Sequence, residues 1–435
     1  MRTGVHQRIN TNITVIFNAA SLVATYIVKA GLGFAYWWLA AREFLPEDVG
    51  FASAAISAMT LLGGLCMLGL GTLLIRELPR QQGKEVSLIS PALILVGVIG
   101  GCVGILFAIV VPYVSADLYP LRASIQNVAL FAVGVSVTAV TLVLDQALIG
   151  LLRGDLQLWR NTLLAGTKLV ALFVASSWLS QRVGLTIYAT WAIGNTFSLA
   201  ALAGFALWKG KWTGRIHLPR LRLLRKLGPL ALQHHILNLL LEGPGQALPV
   251  LVTVLLSATM NAWFYSSFLL TDIVYFIPYA LVTALYAASS THPDALVRKV
   301  RLTMSLAVFS CVLANCVLLF DSVQLLGIFG QSYAEQSIWS LRILGLGSFP
   351  FIIKFYYVAI CRIQDRITDV LLPILAGALL EVGAAALGAR LGGISGLSLG
   401  WIIAVCVEAM FMFRLVYQTA WPKGGCVAKN LHGRR

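Results

Sequence analysis

Most of the residues able to do chemistry in this 435-residue chain stand alone inside apolar runs. Lys29, Lys168 and Lys354 each interrupt a stretch long enough to cross a bilayer, as do the acids Asp145, Glu242, Asp272, Glu381 and Glu408. An ionised side chain at mid-membrane costs about 2.5–3.5 kcal/mol even on the lenient insertion scale, so each one needs a structural or functional reason. Lys29 lies about sixteen residues into the first apolar run, too deep for its stem to carry the ammonium to either surface. It reads as a cationic contact for an anionic group such as a pyrophosphate, or as one half of an ion pair. Lys168 and Lys354 lie nearer their helix ends, about two turns in, and either line a cavity, pair or snorkel.

Glu242 falls in LLLEGPGQALP, where Gly243, Pro244 and Pro249 are expected to break or kink the helix and free backbone carbonyls toward a cavity. An acid on an interrupted helix suits a hinge or a coupling-ion site. Asp272, ahead of Pro278, poses the same choice. Glu381 reads as neutralising a neighbour, and Asp145 and Glu408 are expected to pair with Arg153 and Arg414 or meet water. His234 and His235 are placed to hydrogen-bond sugar or phosphate, or to cap and pack.

No hydrolase triad, phosphate-cradling loop or metal-ligand spacing occurs, so no catalytic residue, cofactor or metal is expected and the chain reads as a non-enzyme. The glycines of GVIGGCVG (97–104) lie within a span, where they permit close helix approach. The seven cysteines form no CxxC pair and imply no disulfide framework.

The elements that must hold these residues are membrane helices. Hydrophobic residues make up 59% of the chain and charged ones 11%, with mean hydropathy +0.85. Soluble domains carry about 25% charged residues. At about 20 residues per span there is room for roughly a dozen helices, expected at 13–41, 50–75, 88–114, 125–150, 162–180, 184–208, 229–256, 262–286, 302–321, 338–361, 370–389 and 395–414. The short connections leave no room for a soluble catalytic domain.

Of the 32 Lys and Arg, five (Arg42, Arg122, Arg182, Arg342, Arg390) fall in outer segments if the N-terminus is cytoplasmic. Three lie within spans, and the remaining 24 are on the inner side, which predicts cytoplasmic termini. Seven of the 24 sit in KGKWTGRIHLPRLRLLRK (209–226), a basic island between the halves with the spacing of an interfacial amphipathic helix. The formal charge of +15 therefore marks membrane orientation and not nucleic-acid binding.

The expected organisation is a six-helix bundle over 1–208, a cytoplasmic linker over 209–228, a second bundle over 229–420 and a basic tail over 421–435. Leu164-Ala165-Gly166 and Leu375-Ala376-Gly377 each open a helix after a short Arg/Asp loop, the mark of a parallel repeat. Parallel repeats joined by a cytoplasmic linker suit an alternating-access transporter.

Four stretches carry a family resemblance: LPEDVGFASAA (45–55), LGLGTLLIRELPR (68–80), LDQALIGLLRGDLQLWRN (144–161) and IFGQSYAEQS (328–337). Through them the chain resembles the multidrug/oligosaccharidyl-lipid/polysaccharide exporter superfamily, in its polysaccharide-flippase (Wzx-type) branch. The resemblance implies two six-helix bundles around a cavity lined by helices 1, 2, 7 and 8. It also implies lipid-linked oligosaccharide as cargo, membrane lipids and polysaccharide assembly proteins as partners, and a bacterial inner-membrane location. Two other readings stand beside it: an organic-cation antiporter, which would favour acids over lysine, and a glycan polymerase or ligase, which would need a larger outer loop.

Overall fold

In a computed structural model the chain is all-α. The structure describes residues 2–80, 85–178, 183–209, 229–289, 296–364 and 366–421, and these contain no β-strand. Nine helices among the described residues are long and apolar enough to cross a membrane. Packing divides the chain into two units, Met1–Ala262 and Trp263–Arg435. Of the basic island and the tail, only Lys209 and Trp421 fall among the described residues.

The first unit contains α1 (Arg2–Glu43), α2 (Pro46–Cys66), α3 (Leu70–Glu77), α4 (Glu85–Val110), α5 (Ile125–Gly150), α6 (Gly154–Trp178), α7 (Gly184–Trp208) and α8 (Pro229–Leu255). Pro46 at the first position and Glu47 and Asp48 in the first turn suit the N-terminus of α2. The single span expected over 50–75 is instead two helices. Leu68 (φ 49°) and Gly69 (φ 76°) take the left-handed conformation, which ends α2 and starts α3. Glycines 97, 100 and 104 face α5; a methyl on Gly104 would come within 2.8 Å of the Ala132 Cα. This is the close approach expected of that stretch.

The helix carrying Glu242 is not broken. α8 runs on through Gly243, Pro244 and Pro249. A proline removes one backbone donor each time, yet its fixed φ is helical and the neighbouring turns hold. Thr253 Oγ1 also donates to the Pro249 carbonyl, at 3.0 Å.

The second unit takes most of α9 (Ala258–Ser289), then α10 (Leu296–Phe320), α11 (Ser322–Gly327), α12 (Gln331–Leu346), α13 (Ser348–Ile363) and α14 (Ile367–Ala420). α14 is two arms. Gly392 (φ −149°, ψ 27°) and Gly393 (φ 59°, ψ −142°) leave helical geometry between them. A methyl on Gly388 would overlap the Gly396 backbone, and one on Gly400 the Ala384 carbonyl. Those paired positions run in opposite directions, so the arms pack antiparallel with their backbones nearly touching. Phe411 is 84% exposed while Trp401, on the same arm, is 2% exposed, an apolar outer face suited to lipid and an inner face that packs.

Candidate functional site

Among the described residues each unit holds a cluster of charges deep within its helices, and the two clusters differ. In the first unit, α5 and α6 meet at a turn in which Leu152 is left-handed (φ 54°). The turn sets Asp145 against α6, where Arg160 grips it with two bonds, Nε to Oδ1 at 2.9 Å and Nη2 to Oδ2 at 2.7 Å. The fork geometry of guanidinium on carboxylate makes this the strong form of such a pair. Asn161 adds its amide at 3.3 Å. The expected partner, Arg153, instead holds Asp155 two positions on, at 3.0 Å. The Arg153 guanidinium keeps the Asp155 carboxyl below its ordinary range. Arg160 is 1% exposed, and its Nη1 has no hydrogen-bond partner.

Lys29 stands on α1, deep among protein atoms, yet its side chain remains exposed. Asp145, Arg160 and Glu242 all act electrostatically on it. Among the described residues no carboxylate lies within salt-bridge distance of its ammonium. Glu242 is exposed on α8. One to two turns along α6, Lys168 is 6% exposed, with its ammonium 4.8 Å above the Tyr36 ring and 4.2 Å from that of Trp191. This is a cation–π enclosure. Tyr36 is fixed in turn by its hydroxyl, which donates to the Ile187 carbonyl at 2.7 Å. Among the described residues, Lys29 is the one ionised group that acts on Lys168. Among the described residues, three cations and two acids leave the cluster with one surplus positive charge.

His235 is buried against α2, with the Leu65 carbonyl as a backbone partner, while its Nε2 finds none. His234, beside it, is half-buried. An open pocket of about 210 Å³ in the same unit, lined by Ala58, Leu61, Phe107, Ala247 and Leu251 among others, offers no polar group for an anion.

In the second unit Lys354 is wholly buried between two acids. Its ammonium meets Glu381 Oε1, and Glu408 Oε2 at 2.9 Å. Glu381 and Glu408 belong to the two antiparallel arms of α14, and Trp401 Nε1 donates to Glu381 Oε2 at 2.6 Å. The Glu408 carboxylate lies on Gly377, where a methyl would overlap it. Arg414, the partner expected of Glu408, is six residues on, which turns it about 240° around the helix. Asp272, on α9, is exposed, and no cation acts on it among the described residues.

Nine helices of this length and apolarity among the described residues define a multi-pass membrane protein. The family model for polysaccharide biosynthesis proteins matches residues 15–241, just over half of the chain, and the chain belongs to that family. A search of curated proteins found no match.

Among solved structures, the fold is similar to an inward-facing multidrug resistance MATE family transporter of the MOP superfamily. The TM-score is 0.67 at 15% identity, over 90% of this chain and 94% of that one. It is also similar to the lipid II flippase MurJ in an inward closed conformation, with TM-score 0.69 at 12% identity, over 92% and 90%. A third likeness is a MOP superfamily transporter from Pyrococcus furiosus, with TM-score 0.62 at 13% identity, over 94% and 95%.

Proposed function

We propose that this protein is an alternating-access flippase that moves a polyprenyl-pyrophosphate-linked oligosaccharide, an O-antigen or exopolysaccharide repeat unit, across the bacterial cytoplasmic membrane. The proposal includes twelve spans in two bundles, cytoplasmic termini, and membrane lipids and polysaccharide assembly proteins as partners. The observation that carries it is the accessible Lys29 ammonium in a cluster with surplus positive charge. A pyrophosphate is a compact dianion or trianion. It would replace water around Lys29 and draw on the unpartnered Nη1 of Arg160, whose other bonds Asp145 already fixes. Lys168, enclosed by aromatic rings, contributes field and not contact. Membership of the polysaccharide biosynthesis family supports the cargo class.

The experiment is surface-glycan export in cells that depend on this chain. Lys29→Ala lowers export roughly ten- to a hundred-fold at matched membrane levels, and Lys29→Arg retains more than Lys29→Gln. Normal export in Lys29→Ala defeats the proposal.

The second reading, an organic-cation antiporter, is favoured by one observation, the exposed Asp272 without a cationic partner among the described residues. It requires drug efflux that Asp272→Asn removes and Lys29→Ala spares.

A further inference from the structure

The Lys354 triad has one carboxylate too many. Lys354, Glu381 and Glu408 have side-chain exposures of 0%, 2% and 4%, so no bulk water solvates them. One ammonium balances one carboxylate. The second negative charge would stay uncompensated in a dry site, and its removal from water carries a penalty of several kcal/mol. Two carboxylates within reach of one lysine do not both remain ionised in such a place; one of them takes a proton.

Among the described residues the neighbouring polar and cationic groups of α9, α10, α12 and α14 are engaged elsewhere or neutral. On α14 itself Trp401 donates to Glu381, a neutral bond. From α9, Tyr275 gives its hydroxyl to the Leu344 carbonyl, and Asp272 beside it adds negative charge. Arg342 on α12 is spent on Ser322 and the Leu319 carbonyl, and Arg301 on α10 on the Ala420 carbonyl. Lys354 and Glu381 are the only ionised groups acting on Glu408 among the described residues. Both Glu408 oxygens lack a hydrogen bond of good geometry, although Oε2 is 2.9 Å from the Lys354 ammonium. Glu408 therefore has an oxygen ready to hold the proton.

We infer that Lys354, Glu381 and Glu408 form a proton-binding site, in which one exchangeable proton is shared between the two glutamates, chiefly on Glu408. The balance is simple: one proton from water binds the carboxylate pair, and the triad goes from net −1 to neutral without breaking a covalent bond. The glutamates lie on the two arms of one helical hairpin, so parting the arms would separate the charges, expose the acid to water and release the proton. That makes the hairpin the place where a proton gradient would couple to movement of the second unit. The site is defined without reference to cargo, so its failure and the failure of the lipid-linked-glycan reading are distinguishable.

The test is infrared spectroscopy of the full-length protein in lipid nanodiscs. A protonated-carboxyl C=O band is expected at neutral pH, shifting in D2O and disappearing reversibly at alkaline pH while the helical amide signal is unchanged. Glu408→Gln and Glu381→Gln should each remove it, because the remaining glutamate then pairs ionised with Lys354. Lys354→Met should roughly double it. The wild-type titration stands even if a variant fails to fold. A wild-type protein with no such band at any pH overturns the inference, as does a band that survives both glutamine substitutions or that disappears in Asp272→Asn alone.

Discussion

The two units solve the same problem, how to keep charge inside a membrane, in opposite ways. The first unit leaves Lys29 accessible, spreads three cations and two acids over α1, α5, α6 and α8, and ends with positive charge to spare. The second encloses Lys354 completely and surrounds it with acid. An accessible surplus suits a visiting ligand, since the ligand can supply the missing counter-charge. An enclosed cluster has to balance itself, with its own groups or with a proton.

That contrast breaks most easily at Lys354. Lys354→Met leaves two buried carboxylates without a cation, and truncating one partner of a buried pair costs about 3–5 kcal/mol. The thermal midpoint of the purified protein should fall sharply, whereas Lys29→Met, at an exposed position, should shift it little. Equal midpoints for the two lysine variants would erase the distinction between the units.

A smaller loss is expected at Asp145. Asp145→Asn keeps the shape but leaves Arg160, 1% exposed, without its counter-ion, for a loss of about 2–3 kcal/mol. The same change strengthens the positive field at Lys29, so an anionic cargo should bind at least as well to whatever fraction folds. Next come the Lys29 substitutions. One charge-assisted bond to phosphate contributes about 1.5–3 kcal/mol, or roughly ten- to a hundred-fold in export. That loss should appear in transport and not in the thermal midpoint.

How much of this was legible in the sequence depended on whether a residue's role is set by its depth or by its facing. Lys29 declared itself, because a lysine at mid-span stands out in any window. The family also showed in short stretches such as LDQALIGLLRGD. Facing was harder. Whether Lys354 lines a space or is walled in depends on the register of a hairpin whose two acids are 27 residues apart. The signal that could have found it was the small-residue spacing of Gly388, Gly396 and Gly400, which permits two backbones to touch around the fold at Gly392–Gly393. Asp145 was paired with the nearest arginine along the chain. A left-handed Leu152 sends that arginine elsewhere, and no pattern of hydropathy marks a leucine for positive φ. The prolines of α8 do not end the helix for a related reason: proline weakens a helix locally, and the packing around it decides whether the helix breaks.

The smallest effect tests where the two units still agree. At the two loops that the expected repeat would align, Arg153 pairs with Asp155 and Arg366 with Asp369, each at 3.0 Å and each pair largely open to solvent. Exposed pairs of this kind contribute at most about 1 kcal/mol and are screened by salt. Asp155→Asn and Asp369→Asn should therefore each lower the thermal midpoint by no more than a degree or two, by similar amounts, with the difference gone at high ionic strength. For Asp155 the folded carboxyl lies below its ordinary range because of Arg153. Its contribution is accordingly present above the unfolded value and lost as pH falls through the folded one. Similar small losses in both loops would mean that the repeat is preserved at the surface and that the units diverge only inside. A large loss in one loop alone would move the asymmetry out to the surface, and the interior clusters would no longer be what distinguishes the halves.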